Sequence, residues 1–231
     1  MRGMGRTTPS PRSSVPLWPL PLLAALLPLL VVHVAWWLSI RDGWIPACNP
    51  YWDGCVSISR AARHGLGNHL FRLAMLPCAT LQALCWLAAA HWLRRDTGRP
   101  LRALPWLGLV AGAFLGLYAA FLGTGGGIYS TLRAYGVALY FGSTCLALLE
   151  VLRALAPQRP RPAVYRNLLA VALGFMAIGL ASVLAAYFVA DPRALDRWSD
   201  ALEWQLGLWL TAMFAVLAWD WWQRGLRVAL A

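Results

Sequence analysis

Six apolar runs, divided by short polar connections, set the reading of this chain. They fall at about 16–40, 70–93, 104–122, 132–155, 168–190 and 204–222 in a sequence of 231 residues. Each meets or approaches the ~20 residues that a helix needs to cross a hydrocarbon core. In lipid a backbone must satisfy its own hydrogen bonds, and a helix does so within one segment. The pattern therefore predicts an all-α, integral membrane six-helix bundle, and an even number of spans returns both ends to one side. No connection is long enough to bury a core of its own, so residues 16–231 read as a single six-span transmembrane domain. Residues 1–15, rich in Ser, Pro and Arg with no apolar period, read as a disordered tail. A secretory leader is the rival reading of the first run, but such a leader has a core of only ~7–15 residues. This run is longer and ends in the interfacial pair Trp36 and Trp37, so it is expected to stay as the first span.

Composition sharpens the picture. Charged residues are 13% of the chain and apolar ones 60%, where soluble domains carry about 25% charged residues. Every one of the 20 basic residues is arginine, which fits GC-rich coding and points to a bacterial inner-membrane protein. A net charge of +11 would suggest nucleic acid in a soluble chain. Here the arginines sit between apolar runs, where membrane topology explains them, and no nucleic-acid partner is expected. Thirteen of them flank one side and seven the other. The richer side holds the tail, the second and fourth connections and the C-terminal end, which places both termini in the cytoplasm. Many of the 14 tryptophans fall where spans meet headgroups: Trp36, Trp37, Trp44, Trp52, Trp92, Trp106, Trp198, Trp204, Trp221 and Trp222. They read as an anchoring belt.

The stretch 48–77 is the one long polar passage between spans, and the topology places it outside the cytoplasm. It gathers Asp53, Ser57, Ser59, Arg60, Arg63, His64, His69 and Arg72, while Asp200 and Glu203 stand at the start of the sixth span. On a helix beginning near Gly67, His69 and Arg72 share a face, and a Glu203–Arg72 pair at the outer interface is expected. Three arginines here suit a lipid phosphate, since guanidinium meets phosphate bidentately; the bland alternative is a solvated loop pinned by one salt bridge. A hydrolytic site would use His64 or His69 as base with Asp53 or Glu203 as partner. No HExxH spacing supports a metal there, and no G-x-S-x-G turn frames Ser57 or Ser59 as a nucleophile. No metal or other cofactor is expected.

Cys48 and Cys55 lie in the same outer loop, where a disulfide between them is expected. Cys78, Cys85 and Cys145 fall inside spans and read as packing residues. Inside the spans, ionisable groups are costly and functional by default. The few present have bland readings: Glu150 with Arg153 and Asp220 with Arg224 at helical pair spacing, and His33 as a core histidine bonded to a neighbouring carbonyl. The glycine-rich connection 123–131 (GTGGGIYST) lacks the lysine of a phosphate loop and reads as a tight hairpin turn.

Three features together resemble the six-span family that includes the damage-regulated autophagy modulators (DRAM). That family also includes the Golgi factor for GPI-anchor lipid remodelling and a yeast-type scaffold for a phosphatidylinositol kinase. The first feature is Pro50-Tyr51, then Ser57-Ile58-Ser59, then Leu70-Phe71-Arg72 and Met75. The second is Ala201-Leu202-Glu203-Trp204 with Asp220 further on, and the third is six spans with both ends inside. In this chain Trp52-Asp53-Gly54-Cys55 intervenes in the first motif. The resemblance implies a protein of lipid organisation, trafficking or remodelling.

The expectation is thus a multi-pass inner-membrane protein with an outer-face site, non-catalytic, that engages a lipid headgroup or a membrane partner. The site is made by the first outer loop and the start of the sixth span: Asp53, Ser57, Ser59, Arg60, Arg63, His69, Arg72, Glu203 and Trp204. The alternative is a lipid-modifying enzyme, an acyl or phosphate hydrolase or transferase working at the outer leaflet. A small-molecule transporter comes third, because the spans lack the polar midplane that one would use.

Overall fold

The computed structural model describes residues 14–229. Seven helices and two three-residue strands make up the described chain. In order they are β1 (Ser14–Pro16), α1 (Pro19–Arg41), α2 (Ile58–Ala61), α3 (Gly65–Thr97), α4 (Ala103–Phe121), α5 (Gly127–Leu155), α6 (Ala163–Phe188), α7 (Pro192–Gln223) and β2 (Arg227–Ala229). Six of the helices are long and apolar enough to cross a membrane, which makes this a multi-pass membrane protein.

Helices begin and end where local chemistry allows, not where apolarity stops. The spans expected at 70, 132 and 204 start earlier, at Gly65, Gly127 and Pro192. Backbone hydrogen bonding continues past the hydrocarbon edge as long as no residue breaks it. At the head of α7, Pro192 occupies the first turn, where its missing N–H is no loss, and the Asp191 side chain accepts from Arg193 N–H. At the tail of α3, Gly98 adopts φ 68° and its N–H bonds to the Arg94 carbonyl, while Arg94 and Arg95 oppose the negative helix end. Pro28 and Pro77 lie inside α1 and α3, where a bundle tolerates them because neighbouring groups take up the freed backbone.

The helices pack in the order α6, α7, α1, α3, α4, α5, while α5 and α6 meet only sparsely. Small residues set the close approaches, as expected where lipid gives helices no hydrophobic reason to associate. Gly108 is the clearest case: a Cβ there would stand 2.3 Å from the Trp86 side chain, so α4 can lie on α3 only without one. α6 is the loosest element and turns Leu173, Met176, Leu180 and Val183 outward, as a lipid-facing helix does.

Several sequence readings change. Residues 1–13 of the expected disordered tail lie outside the described residues, but Ser14 to Pro16 form a strand antiparallel to Arg227–Ala229. Both ends of the described chain therefore meet at one end of the bundle. α2 (Ile58–Ala61), inside the first connection, is a helix that the apolar pattern does not predict. Trp92, Trp204 and Trp221 are not belt residues; all three are buried, because the helices carrying them are packed on that face. Trp37, Trp52, Trp106 and Trp198 are exposed, as a belt requires. The glycine connection is shorter than expected, since α5 begins at Gly127, and Arg133 closes it by donating to the carbonyls of Phe121 (3.1 Å) and Thr124 (2.7 Å).

Candidate functional site

The first connection folds down onto the head of α7. Cys48 and Cys55 are bonded, with Cα atoms 6.6 Å apart, and the loop they close is fastened by directional bonds. Trp204 Nε1–H donates to the Val56 carbonyl at 2.8 Å and Gln205 Nε2 to the Tyr51 carbonyl at 3.2 Å. Gly54 has φ 56°, and a Cβ on it would overlap the Arg197 carbonyl. Only glycine permits both that conformation and that contact. Beneath the loop, Ser39 Oγ–H donates to the Ala61 carbonyl at 2.6 Å. Asn68 Nδ2 donates to the carbonyls of Ala62 (2.9 Å) and Leu122 (3.1 Å). Three helices are thereby tied to one loop.

Under this clamp lies a cavity of about 100 Å³ between α1, α3, α4, α5 and α7. Its wall is almost wholly hydrocarbon and aromatic, including Leu29, Phe71, Met75, Leu115 and Phe141. Its polar end is small. Glu203 enters from α7, close to the backbone N–H groups of Ile58 and Ser59 at the start of α2. His33 Nδ1 bonds to the Leu29 carbonyl at 2.6 Å, which leaves Nε2 to accept from the Tyr51 hydroxyl at 2.9 Å. Burial raises the Tyr51 phenol above its ordinary value, which keeps the proton that this bond needs. Trp204 packs edge-on to both rings, with centroids 5.6 Å from His33 and 5.3 Å from Tyr51.

The residues singled out from sequence fall into two groups. Ser57 is buried as the cap of α2, accepting from Arg60 N–H at 3.2 Å, and its hydroxyl lies 3.2 Å from that of Ser59. Arg60 pairs with Asp200, Trp204 is in the core, and Glu203 faces the cavity. These four positions are brought together with Ser59.

The others are not in that group. Asp53 turns back to accept from Asn49 N–H at 2.8 Å and borders a second hollow of about 340 Å³ beside Arg197 and Trp198. His64 is exposed and stacks on Trp44 at 4.9 Å; His69 is exposed on α3. Arg63 is half-buried, and its Nε has no partner among the described residues. The expected Glu203–Arg72 pair does not form: the ion pair that joins loop and helix is Arg60–Asp200, one turn before Glu203. The carboxylate at 200 lies toward the loop while the one at 203 turns inward, so the arginine in the loop takes the former.

His33 and Tyr51 are the site residues whose role the sequence reading missed. His33 does bond to a neighbouring carbonyl, but its second nitrogen reaches a residue 18 positions away. Nothing in the local pattern signals that partner; only the Pro50-Tyr51 motif draws the eye to it. Among the described residues no group of three or more His, Cys, Asp or Glu could hold a metal.

No family model, curated protein or solved structure matches the chain.

Proposed function

We propose that this is a non-catalytic, multi-pass protein of a bacterial inner membrane, with both termini cytoplasmic, that holds a membrane lipid at its outer face. The lipid chain occupies the cavity and the polar head lies by Glu203 and the α2 turn. One observation carries this reading: a cavity of about 100 Å³ lined by hydrocarbon, with a single carboxylate and a Tyr–His pair at one end. On the same measure one water needs roughly 10–15 Å³, and apolar cavities stay dry and take apolar ligands. A mouth toward the bilayer is available between α5 and α7, where Val137 and Thr211 are half-buried and Leu208 is 41% exposed. The positive-inside bias supports the orientation. The resemblance to the six-span lipid-remodelling family gains a physical sense, because Tyr51, Ile58, Phe71, Met75, Glu203 and Trp204, all from its motifs, line this one cavity.

The enzymatic alternative has less support. His64 and His69 are exposed, and no hydrogen bond joins either to Asp53 or Glu203 among the described residues. A general base must stand within reach of its partner.

The test is the lipid that co-purifies with the protein, measured per mole by mass spectrometry. Val137→Trp, which fills the cavity, and Glu203→Ala, which removes its carboxylate, are each expected to lower it several-fold. Arg72→Ala should leave it unchanged, since Arg72 does not line the cavity. Wild-type lipid content in both cavity variants would reject the proposal.

A further inference from the structure

The opposite end of the bundle holds a second cleft that shares no residue with the outer cavity. It lies between the last turns of α3, the approach to α1 and the β1–β2 ribbon. Two overlapping hollows of about 440 and 600 Å³ share Leu17, His91, Arg95, Arg227 and Val228.

The charges around it do not cancel. Arg224 lies 2.8 Å from Asp220 and 3.9 Å from Asp96, and its guanidinium sits over the Trp92 ring at 5.4 Å. Asp96 also accepts from Gln158 Nε2 at 2.8 Å. Asp96 and Asp220, the carboxylates beside the cleft, thus share the single cation of Arg224. Among the described residues Arg227 is held by neutral acceptors, through Nε to Ser14 Oγ (2.9 Å) and Nη2 to the Ser14 carbonyl (2.8 Å). Arg95 forms no ion pair among the described residues, and it is exposed. Among the described residues, Arg95, Arg224, Arg227 and His91 border the cleft, and the carboxylates Asp96 and Asp220 offset two of the three arginine charges, which leaves a surplus of one positive charge.

Several properties make this more than a basic surface. Arg227 is oriented in advance by two bonds to Ser14, which lowers the ordering cost of a further contact. Guanidinium offers phosphate a planar fork of donors. Leu17, Leu226 and Val228 add an apolar wall beside the charges, the arrangement met by the first carbons of an acyl chain. Basic pockets between transmembrane helices at the interface are where anionic headgroups lodge. The negative ends of α3 and α7 work against an anion here, so the arginines must supply the attraction.

We infer that this cleft binds an anionic phosphate group, carried by a phospholipid headgroup or free in solution. The inference does not rest on the outer-face site. Purified full-length protein in a neutral detergent is titrated with phosphatidylglycerol, with phosphatidylcholine and with inorganic phosphate, and thermal unfolding is followed by tryptophan fluorescence. Phosphatidylglycerol is expected to raise the midpoint and phosphatidylcholine to raise it less. Stabilisation by inorganic phosphate to the same extent assigns the site to soluble phosphate; stabilisation by the lipid alone assigns it to the headgroup.

Arg95→Gln, which breaks no hydrogen bond or ion pair among the described residues, should weaken the response about fivefold, the worth of one arginine at a membrane surface. Arg95→Gln with Arg227→Gln should weaken it roughly twentyfold. Arg72→Ala, which removes an arginine at the opposite end and lines neither pocket, should leave it intact, which separates this cleft from a general response to basic charge. Equal responses to the two lipids with none to phosphate, or a wild-type response in Arg95→Gln whose unliganded midpoint is unchanged, would overturn the inference.

Discussion

The two ends of this bundle manage polarity in opposite ways. At the loop end, many polar groups have partners inside the protein, although Arg63 Nε and Trp36 Nε1 have none among the described residues. Cys48 is bonded to Cys55, Trp204 to Val56, Ser39 to Ala61, Asn68 to two carbonyls, and Arg60 is paired with Asp200. At the terminal end, two three-residue strands and one arginine between two carboxylates hold the chain, and Arg95 and Arg227 keep their charge. A mostly satisfied, packed end is rigid and can shape an apolar cavity. An end with a surplus cation is an electrostatic surface, and it responds to salt and to anions. Polarity that is internally paired builds structure; polarity left over is available for a ligand.

This contrast can be broken at either end, beginning with the largest effect. Trp204→Ala should cost about 3–5 kcal/mol, the range for truncating a large buried aromatic. Trp204 is 1% exposed, and its loss also strands the Val56 carbonyl. The thermal midpoint in detergent reports it, and a shift no larger than that of any terminal-end variant would dissolve the difference between the ends. Cys55→Ser should cost about 2–3 kcal/mol, as expected for a short loop freed in the unfolded chain. Reducing the wild type should reproduce that shift; no shift on reduction would show that hydrogen bonds alone hold the loop.

Arg224→Ala comes next, at about 1–2 kcal/mol, because it leaves Asp220, 8% exposed, without its cation. The Arg224–Asp220 contact is short but poorly aligned for a hydrogen bond, so it is mainly Coulombic. The pair is largely buried and no wider than the ~3 Å screening length of about 1 M salt, so its contribution should persist there. A cost that vanished in salt would show the pair to be solvated and weakly held. Arg60→Ala should cost less than about 1 kcal/mol, since its side chain is 49% exposed. A loss rivalling Trp204→Ala would mean that charge, not packing, fastens the loop.

Much of this architecture was legible in the order of residues. The six apolar runs located the six long helices, because a backbone in hydrocarbon has few other options. The clustered polarity of the first connection and of the head of the last helix points to them as one region. The pairing inside that region was not legible. Glu203 and Asp200 are three residues apart on one helix, and both are acids facing an arginine-rich loop. Which of them meets Arg60 and which turns into the cavity depends on how α2 lies on α7. The same holds for the tryptophans: Trp204 and Trp221 look like belt residues by position, yet the packed face of α7 buries both.

What the sequence alone determined is the class of object: a chain of helices for a bilayer, with its surplus positive charge set at the span ends. Apolarity and helical self-sufficiency are local properties, so they can be read residue by residue. What only the tertiary structure decided is which polar atoms remain without partners. His33 finding Tyr51, Gly54 yielding to Arg197, and Ser14 orienting Arg227 across the whole length of the chain are contacts between distant segments. No local pattern encodes them, because each exists only once the helices have settled against one another.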